Sequence, residues 1–161
     1  MIDKIKQLRE RDTIWNLDYF EFLVERVWKL NKPARIIDFG CGGGYMGAML
    51  LPLLPLGSTY AGLDINQKFL NRARETFVNS GWITEFYEVD LIQYEANEIY
   101  DIAICHGVLN HIPQPDTILR KMIQSVIPGG RVICIESNAI VASCAADYYH
   151  GMEKFRHMIL A

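Results

Sequence analysis

The sequence predicts a doubly wound, mostly parallel α/β sheet of about five strands, with helices on both faces. Short apolar runs alternate with amphipathic stretches of helical period along most of the chain. Three of these runs close on an aspartate, at Asp38, Asp64 and Asp90. Five glycines follow the first aspartate, within residues 40–47. Because ligands of such sheets collect at the carboxyl ends of the strands, the acids and the glycines mark the expected site.

The chain begins with a charged segment, residues 3–11, followed by a stronger helical pattern from Leu17 to Leu30. The apolar side chains of that helix recur at helical spacing and are expected to face the sheet: Phe20, Leu23, Val24, Val27 and Trp28. Asn31 and Pro33 should end the helix. A second helix, over residues 45–51, follows the glycines and should stop at Pro52, which lacks a backbone donor.

The remaining elements follow from the same patterns. The strands are expected at residues 36–38, 60–64, 84–89, 102–105 and 131–136. A helix capped by Asn66 is expected to bury Phe69, Leu70, Ala73 and Phe77. A helix that begins at Pro115 is expected to bury Ile118, Leu119, Met122, Ile123 and Val126. Residues 128–130, Pro-Gly-Gly, should turn the chain into the fifth strand, and a last helix is expected over residues 146–160.

The glycine loop satisfies two fingerprints. Gly42, Gly44 and Gly47 fit G-x-G-x-x-G, and Asp64 follows Gly42 at nearly the spacing of the ribose-binding acid of dinucleotide folds. When the loop is counted from Asp38, it gives acid-x-G-x-G-x-G. An acid beside the glycines would repel a pyrophosphate, whereas it can help to position an ammonium group. The second fingerprint is therefore favoured.

With these motifs in register, the chain resembles the class I S-adenosylmethionine (SAM)-dependent methyltransferases of the small-molecule type. The resemblance rests on residues 38–44, 62–65, 89–91, 108–113 and 127–131. It implies a Rossmann-like fold, SAM as cofactor, S-adenosylhomocysteine (SAH) as product and a small-molecule methyl acceptor. The length of 161 residues predicts a single domain over residues 1–161. That domain would comprise an N-terminal helical segment (1–32), a cofactor-binding core (33–136) and a C-terminal helix (137–161).

The resemblance assigns residues to the cofactor. They are Tyr19, Asp38, Phe39, Gly40, Cys41, Gly42, Gly44, Asp64, Ile65, Asp90, Leu91, Cys105 and His106. Asp38 and the glycine backbone would surround the methionine end of SAM, and Asp64 would hold both ribose hydroxyls. Ile65 would pack on the adenine, and Asp90 with Leu91 would meet its amino edge. The alternative for each acid is a helix cap or a turn residue.

The sequence does not establish a catalytic residue. Methyl transfer by in-line displacement depends mainly on the alignment of donor and acceptor, so a dedicated base is not required. If the acceptor has a proton to lose, His111 is the first candidate base and His106 the second.

Two other functions stay open at this point. An NAD-binding oxidoreductase fits the first fingerprint, although the chain shows no Tyr-x-x-x-Lys pair. A non-catalytic SAM-binding subunit or fragment is the other, because methyltransferases of this kind usually have seven strands and five are expected here. Strand five would then be a sheet edge, and a second copy of the chain or a partner chain is expected to cover it.

Composition narrows the possible partners. Half of the 161 residues are hydrophobic, the net charge is −3, and lysine and arginine form no stripe, so no nucleic-acid partner is expected. No segment is long enough to span a membrane. The four cysteines form no closely spaced pair, which favours a reduced cytoplasmic location. His150, Glu153 and His157 share a helical spacing but lack a companion ligand, so no metal site is expected.

Overall fold

In the computed structural model of the protein, the structure describes residues 17–136, with side chains from Asp18 onward. The charged segment 3–11 lies outside the described residues. So does the C-terminal helix over residues 146–160, with its two histidines and its glutamate. The domain boundaries that involve these segments stay a prediction.

The described residues form one sheet of five parallel strands, in the order β3-β2-β1-β4-β5. The strands are β1 Arg35–Phe39, β2 Thr59–Asp64, β3 Ile83–Glu88, β4 Tyr100–His106 and β5 Val126–Ile135. The chain winds outward from β1 through β2 to β3, then returns to the other side of β1 for β4 and β5. This reversal opens a crevice at the carboxyl ends of β1 and β4. The predicted fold class is confirmed.

The described residues form four α-helices, of which the first precedes β1 and the other three lie between strands. They are α1 Leu17–Phe22, α2 Tyr45–Leu50, α3 Gln67–Phe77 and α4 Pro115–Gln124. As predicted, Asn66 caps α3 by accepting a hydrogen bond from the backbone of Lys68, and α2 gives way to a 3-10 turn that contains Pro52. None of the helices in the described part of the chain is long and apolar enough to cross a membrane.

Helix α1 continues as a π-helical turn, Leu23–Val27, and this turn changes which side chains are buried. The backbone N–H of Trp28 donates to the carbonyl of Leu23, five residues earlier. The wider turn places Trp28 in the core and leaves Val27 52% exposed. The predicted burial of Val27 was therefore wrong, because the periodicity of an ordinary helix does not continue through this turn.

The two faces of the sheet carry separate cores. Side chains of α1, α2 and α3 pack with one face, which includes Ile36 and Tyr60. Helix α4 packs with the other face, which includes Ile37 and Phe39. Two predicted core residues are exposed instead, Phe69 at 44% and Ile123 at 61%. Each lies beside the narrower stripe that its helix buries, so the predicted apolar faces were too wide.

Strand β5 begins earlier than predicted. Tyr100 pairs with Val126 and Ile102 pairs with Arg131, so residues 127–130 bulge out opposite a single residue of β4. Gly129 has a φ of +82° within this bulge. The Pro-Gly-Gly segment therefore interrupts the strand instead of preceding it. Among the described strands, β5 pairs with β4 alone.

Candidate functional site

A cleft of about 430 Å³ lies where the carboxyl ends of β1, β2 and β4 meet. The glycine loop, the end of β2 with the start of α3, the segment after β3 and the loop after β4 contribute to it. The residues that line the cleft are Gly40, Gly42, Asp64, Ile65, Phe69, Asp90, Leu91, Ile92, His106, Gly107, Val108, His111, Ile112 and Pro113. The structure therefore brings together residues that are far apart in the sequence.

The glycine loop is shaped so that one part contacts protein and another part faces open space. Gly40 has a φ of +79°, and a Cβ built there would lie 2.4 Å from a methyl group of Val108. Gly42 has a φ of +52°, but a Cβ built there would meet no atom within 4 Å. Glycine is needed at position 40 for close packing as well as for its backbone conformation. The space above Gly42 is available to a ligand.

Asp64 joins the glycine loop to the start of α3. Its Oδ2 accepts a hydrogen bond from the backbone N–H of Gly42 at 2.9 Å, and its Oδ1 accepts one from the N–H of Asn66 at 2.8 Å. Each carboxylate oxygen can accept a further hydrogen bond. Asp64 is thus a turn residue, the alternative that the sequence left open, and it lines the cleft as well.

An apolar wall and a second carboxylate stand on the β2–β3 side of the cleft. Ile65 is 67% exposed and Phe69 is 44% exposed, although both are large apolar side chains. Asp90 closes a turn by accepting a hydrogen bond from the N–H of Ile92 at 2.9 Å, and Leu91 is buried beside it. Exposed apolar groups next to an acceptor suit a flat heterocycle with an exocyclic amine.

Asp38 lies two residues before Gly40 and is almost completely buried. The hydroxyl of Tyr60 donates to its Oδ2, while its Oδ1 has no hydrogen-bond partner among the described residues. Burial raises the pKa of Asp38 to about 7; the Tyr60 hydrogen bond lowers the pKa and the charge of Asp64 raises it. A buried carboxylate oxygen without a partner favours a ligand that brings a positive charge or a hydrogen-bond donor.

Six residues that the resemblance assigned to the cofactor do not line the cleft. They are Tyr19, Asp38, Phe39, Cys41, Gly44 and Cys105. The side chains of Phe39, Cys41 and Cys105 are in the core, so only their backbone could contact a ligand. Burial also raises the pKa of both thiols, which disfavours a reactive thiolate. Tyr19 is 46% exposed at the start of α1.

The loop after β4 brings both candidate bases to the cleft. His106 ends β4, and His111 lies in a 3-10 turn, Leu109–His111. Six lining residues were not in the predicted set: Phe69, Ile92, Gly107, Val108, Ile112 and Pro113. Five of them lie within two residues of a predicted residue. Phe69 was instead predicted to lie on the buried face of its helix.

The lining of the cleft is anionic. Asp64 and Asp90 are acidic, and no lysine or arginine is among the described residues that line it. A pyrophosphate in this cleft would face two carboxylates without a cationic partner. The charge distribution therefore favours a cationic ligand over a dinucleotide.

Comparisons with known proteins show the family to which the chain belongs. The methyltransferase domain family matches residues 37–132, which is more than half of the chain. The ubiquinone biosynthesis O-methyltransferase of Pseudomonas savastanoi pv. phaseolicola is 34% identical over 112 residues, covering 67% of this chain and 45% of that protein. The chain thus spans about half the length of the curated relatives it matches.

Solved structures have the same fold. YjhP from E. coli is 26% identical with a TM-score of 0.60, covering 81% of this chain and 55% of that one. Coclaurine N-methyltransferase, solved with N-methylheliamine and SAH, is 16% identical with a TM-score of 0.64, covering 73% of this chain and 34% of that one. Together with the domain match, these findings confirm the resemblance: the chain belongs to the class I SAM-dependent methyltransferases.

Proposed function

We propose that this chain binds SAM in the cleft and transfers its methyl group to a small-molecule acceptor. The observation that carries the proposal is the lining itself. Among the described residues, it combines two carboxylates, an apolar wall and an open glycine loop without any basic lysine or arginine side chain. Cofactor-bound relatives of this fold and the match to the methyltransferase domain support it.

The residues present fit the cofactor. The buried Oδ1 of Asp38, which has no partner among the described residues, suits the ammonium of the methionine end. Asp64 would accept hydrogen bonds from the ribose hydroxyls, and Ile65 with Phe69 would pack on the adenine. Asp90 and Leu91 would meet the amino edge of that ring. Among the assigned residues outside the lining, Phe39, Cys41 and Cys105 have buried side chains and would contribute only backbone groups.

The mechanism depends on placement. SAM supplies a methyl group on a positively charged sulfur, which leaves as a neutral thioether. The glycine loop and Asp64 fix the position of the donor. The loop after β4 forms the adjoining wall of the cleft, with Val108 in contact with Gly40. Alignment of the acceptor with the methyl carbon then supplies most of the rate enhancement. His111, and after it His106, would accept a proton from the acceptor.

A hydroxyl is the proposed acceptor group. The curated relatives are named O-methyltransferases. A hydroxyl loses its proton when its oxygen is methylated, and a histidine of the cleft can accept that proton as a general base.

Calorimetric titration with SAM, SAH and NAD⁺ tests the proposal. We expect binding of SAM and SAH and none of NAD⁺. Binding of NAD⁺ alone would overturn the proposal in favour of an oxidoreductase. If SAM binds but the chain alone methylates none of the test acceptors, the same assay with candidate partner proteins added decides between an enzyme and a SAM-binding subunit.

Asp64→Ala should weaken SAM binding by about 1.5–3 kcal/mol, because hydrogen bonds to a charged group are lost. The loss includes the support that Asp64 gives to the N–H of Gly42. Asp101→Ala is the matched control, since Asp101 also accepts a backbone hydrogen bond, from Arg35, but at the amino end of the sheet. Calorimetric titration of both variants with SAM measures the change in affinity. Equal SAM affinity in Asp64→Ala and the wild type would remove Asp64 from the site.

The open edge of β5 is the surface that we assign to a second copy or a partner strand. Val132 and Cys134 are exposed on this strand, and its outer backbone groups have no strand partner among the described residues. We expect light scattering to show self-association, and Val132→Lys to reduce it by placing a charge on the edge. A monomer in both proteins would exclude a second copy of the chain as the occupant of this edge.

A cytoplasmic location completes the proposal. Cys41, Cys105 and Cys134 are free thiols, as expected in a reducing compartment.

A further inference from the structure

Glu136 follows β5 and makes contacts that no part of the proposed cofactor site explains. Its Oε1 accepts hydrogen bonds from the backbone N–H groups of Val108 and Leu109, both at 3.0 Å. The thiol of Cys105 lies 3.8 Å from the same oxygen. Next to these contacts, the N–H of Gly107 donates to the carbonyl of Ile135 at 2.8 Å. The end of β5 is thus bonded to three successive backbone N–H groups of the loop after β4.

These bonds supply a cap that the loop lacks. Val108, the residue just before the 3-10 turn Leu109–His111, makes no side-chain hydrogen bond that would cap the turn. N–H groups at the start of such a turn have no partner within the turn. A carboxylate is the strongest acceptor available for two converging N–H groups. Glu136 therefore fixes the start of the turn from a distant part of the sequence.

The capped turn contributes to two parts of the cleft, the glycine loop and the candidate base His111. Val108 packs against Gly40 so closely that no Cβ fits there. His111, whose N–H donates to the carbonyl of Val108 at 2.9 Å, is the first candidate base. A shift of the turn would move the side chain that contacts the glycine loop together with the histidine.

We propose that Glu136 is a positioning residue that holds the loop after β4 in its working geometry, with Val108 against the glycine loop and His111 at the cleft. The proposal rests on the function proposed above. Glu136 acts through the backbone of Val108 and Leu109 and is not among the residues that line the cleft.

Hydrogen exchange in the ligand-free protein tests the positioning. Glu136→Leu removes the acceptor, and Glu136→Asp keeps the charge but shortens the side chain by one methylene. In both we expect the amides of residues 108 and 109 to exchange about tenfold faster, while those of β1 are unchanged. Glu136→Gln has a side chain of the same length and retains an acceptor oxygen, so exchange in this variant should stay as slow as in the wild type. Glu98→Gln, at an exposed ion pair with Arg35, is the control. If the leucine variant does not fold, the aspartate variant decides.

SAH affinity then shows whether the loop matters for the cofactor. We expect Glu136→Leu and Glu136→Asp to bind SAH about tenfold more weakly and Glu136→Gln to bind within about threefold of the wild type. The inference would be overturned if the amides of residues 108 and 109 exchanged at the wild-type rate, or if Glu136→Leu and Glu136→Asp both bound SAH as tightly as the wild type. Failure of the wild type to bind SAH would instead overturn the proposed function, and the exchange data would still decide the role of Glu136 in the loop.

Discussion

Gly42→Val should abolish SAM binding. A Cβ at this position meets no protein atom within 4 Å, so the new side chain would enter the space that we assign to the ligand. The backbone there has a φ of +52°, which a β-branched residue resists. We expect affinity to fall by more than about 100-fold, equivalent to ~2.7 kcal/mol. Calorimetry with SAH measures it.

Strain and occlusion can be separated with a second glycine. Gly81 has a φ of +79° and is equally open, but it lies before β3 and outside the cleft. Gly81→Val should therefore show a similar loss of thermal stability with normal SAH affinity. If Gly42→Val also bound SAH normally, the glycine loop would be a turn without a ligand. If both variants lost binding together, the effect would come from destabilisation.

The sheet could be predicted because its central strands are buried on both faces. Apolar runs such as residues 60–63 are typical of buried parallel strands, and the acid that ends this run, Asp64, contrasts sharply with it. Helix faces were less predictable. The π-helical turn after Phe22 leaves no clear mark in the sequence, and Val27 was misplaced as a result.

The site was predictable where it depends on strand ends and less so where it depends on packing. Asp64 and Asp90 were predicted because they follow the apolar runs of β2 and β3, and both line the cleft. Phe69 lines it too, but helical periodicity does not show where the sheet stops and a cleft begins. The contact between Val108 and Gly40 joins residues far apart in the chain, and so does the cap from Glu136. Such contacts depend on the relative placement of strands, which local patterns do not encode.

SAM affinity should depend on pH through Asp38. Burial raises the pKa of this carboxyl group to about 7 in the ligand-free protein, so it is largely protonated in mildly acidic solution. An ammonium group bound beside it requires the ionised form and would lower its pKa. Binding therefore releases a proton below pH 7. We expect the affinity for SAH to fall about tenfold for each pH unit from 7 towards 5.

Stability should change in the opposite direction. The pKa of Asp38 in the folded protein is above its ordinary value of 3.8, so the folded state holds a proton that the unfolded chain has lost. The stabilisation from this group is fully present below about pH 4 and is lost as pH rises through about 7. Thermal unfolding of the ligand-free protein between pH 5 and pH 8 measures this contribution.

Asp38→Asn tests whether this carboxyl group is the source of the pH dependence. The amide keeps the size of the side chain and an acceptor for the hydroxyl of Tyr60, but it cannot ionise. The variant should bind SAH weakly at all pH values, with a flat profile, and its unfolding should lose the decline in stability near pH 7. A slope in affinity that persists in Asp38→Asn would assign the titration to a group other than Asp38. A wild-type profile without any slope would show that the ammonium of the ligand does not lie beside Asp38.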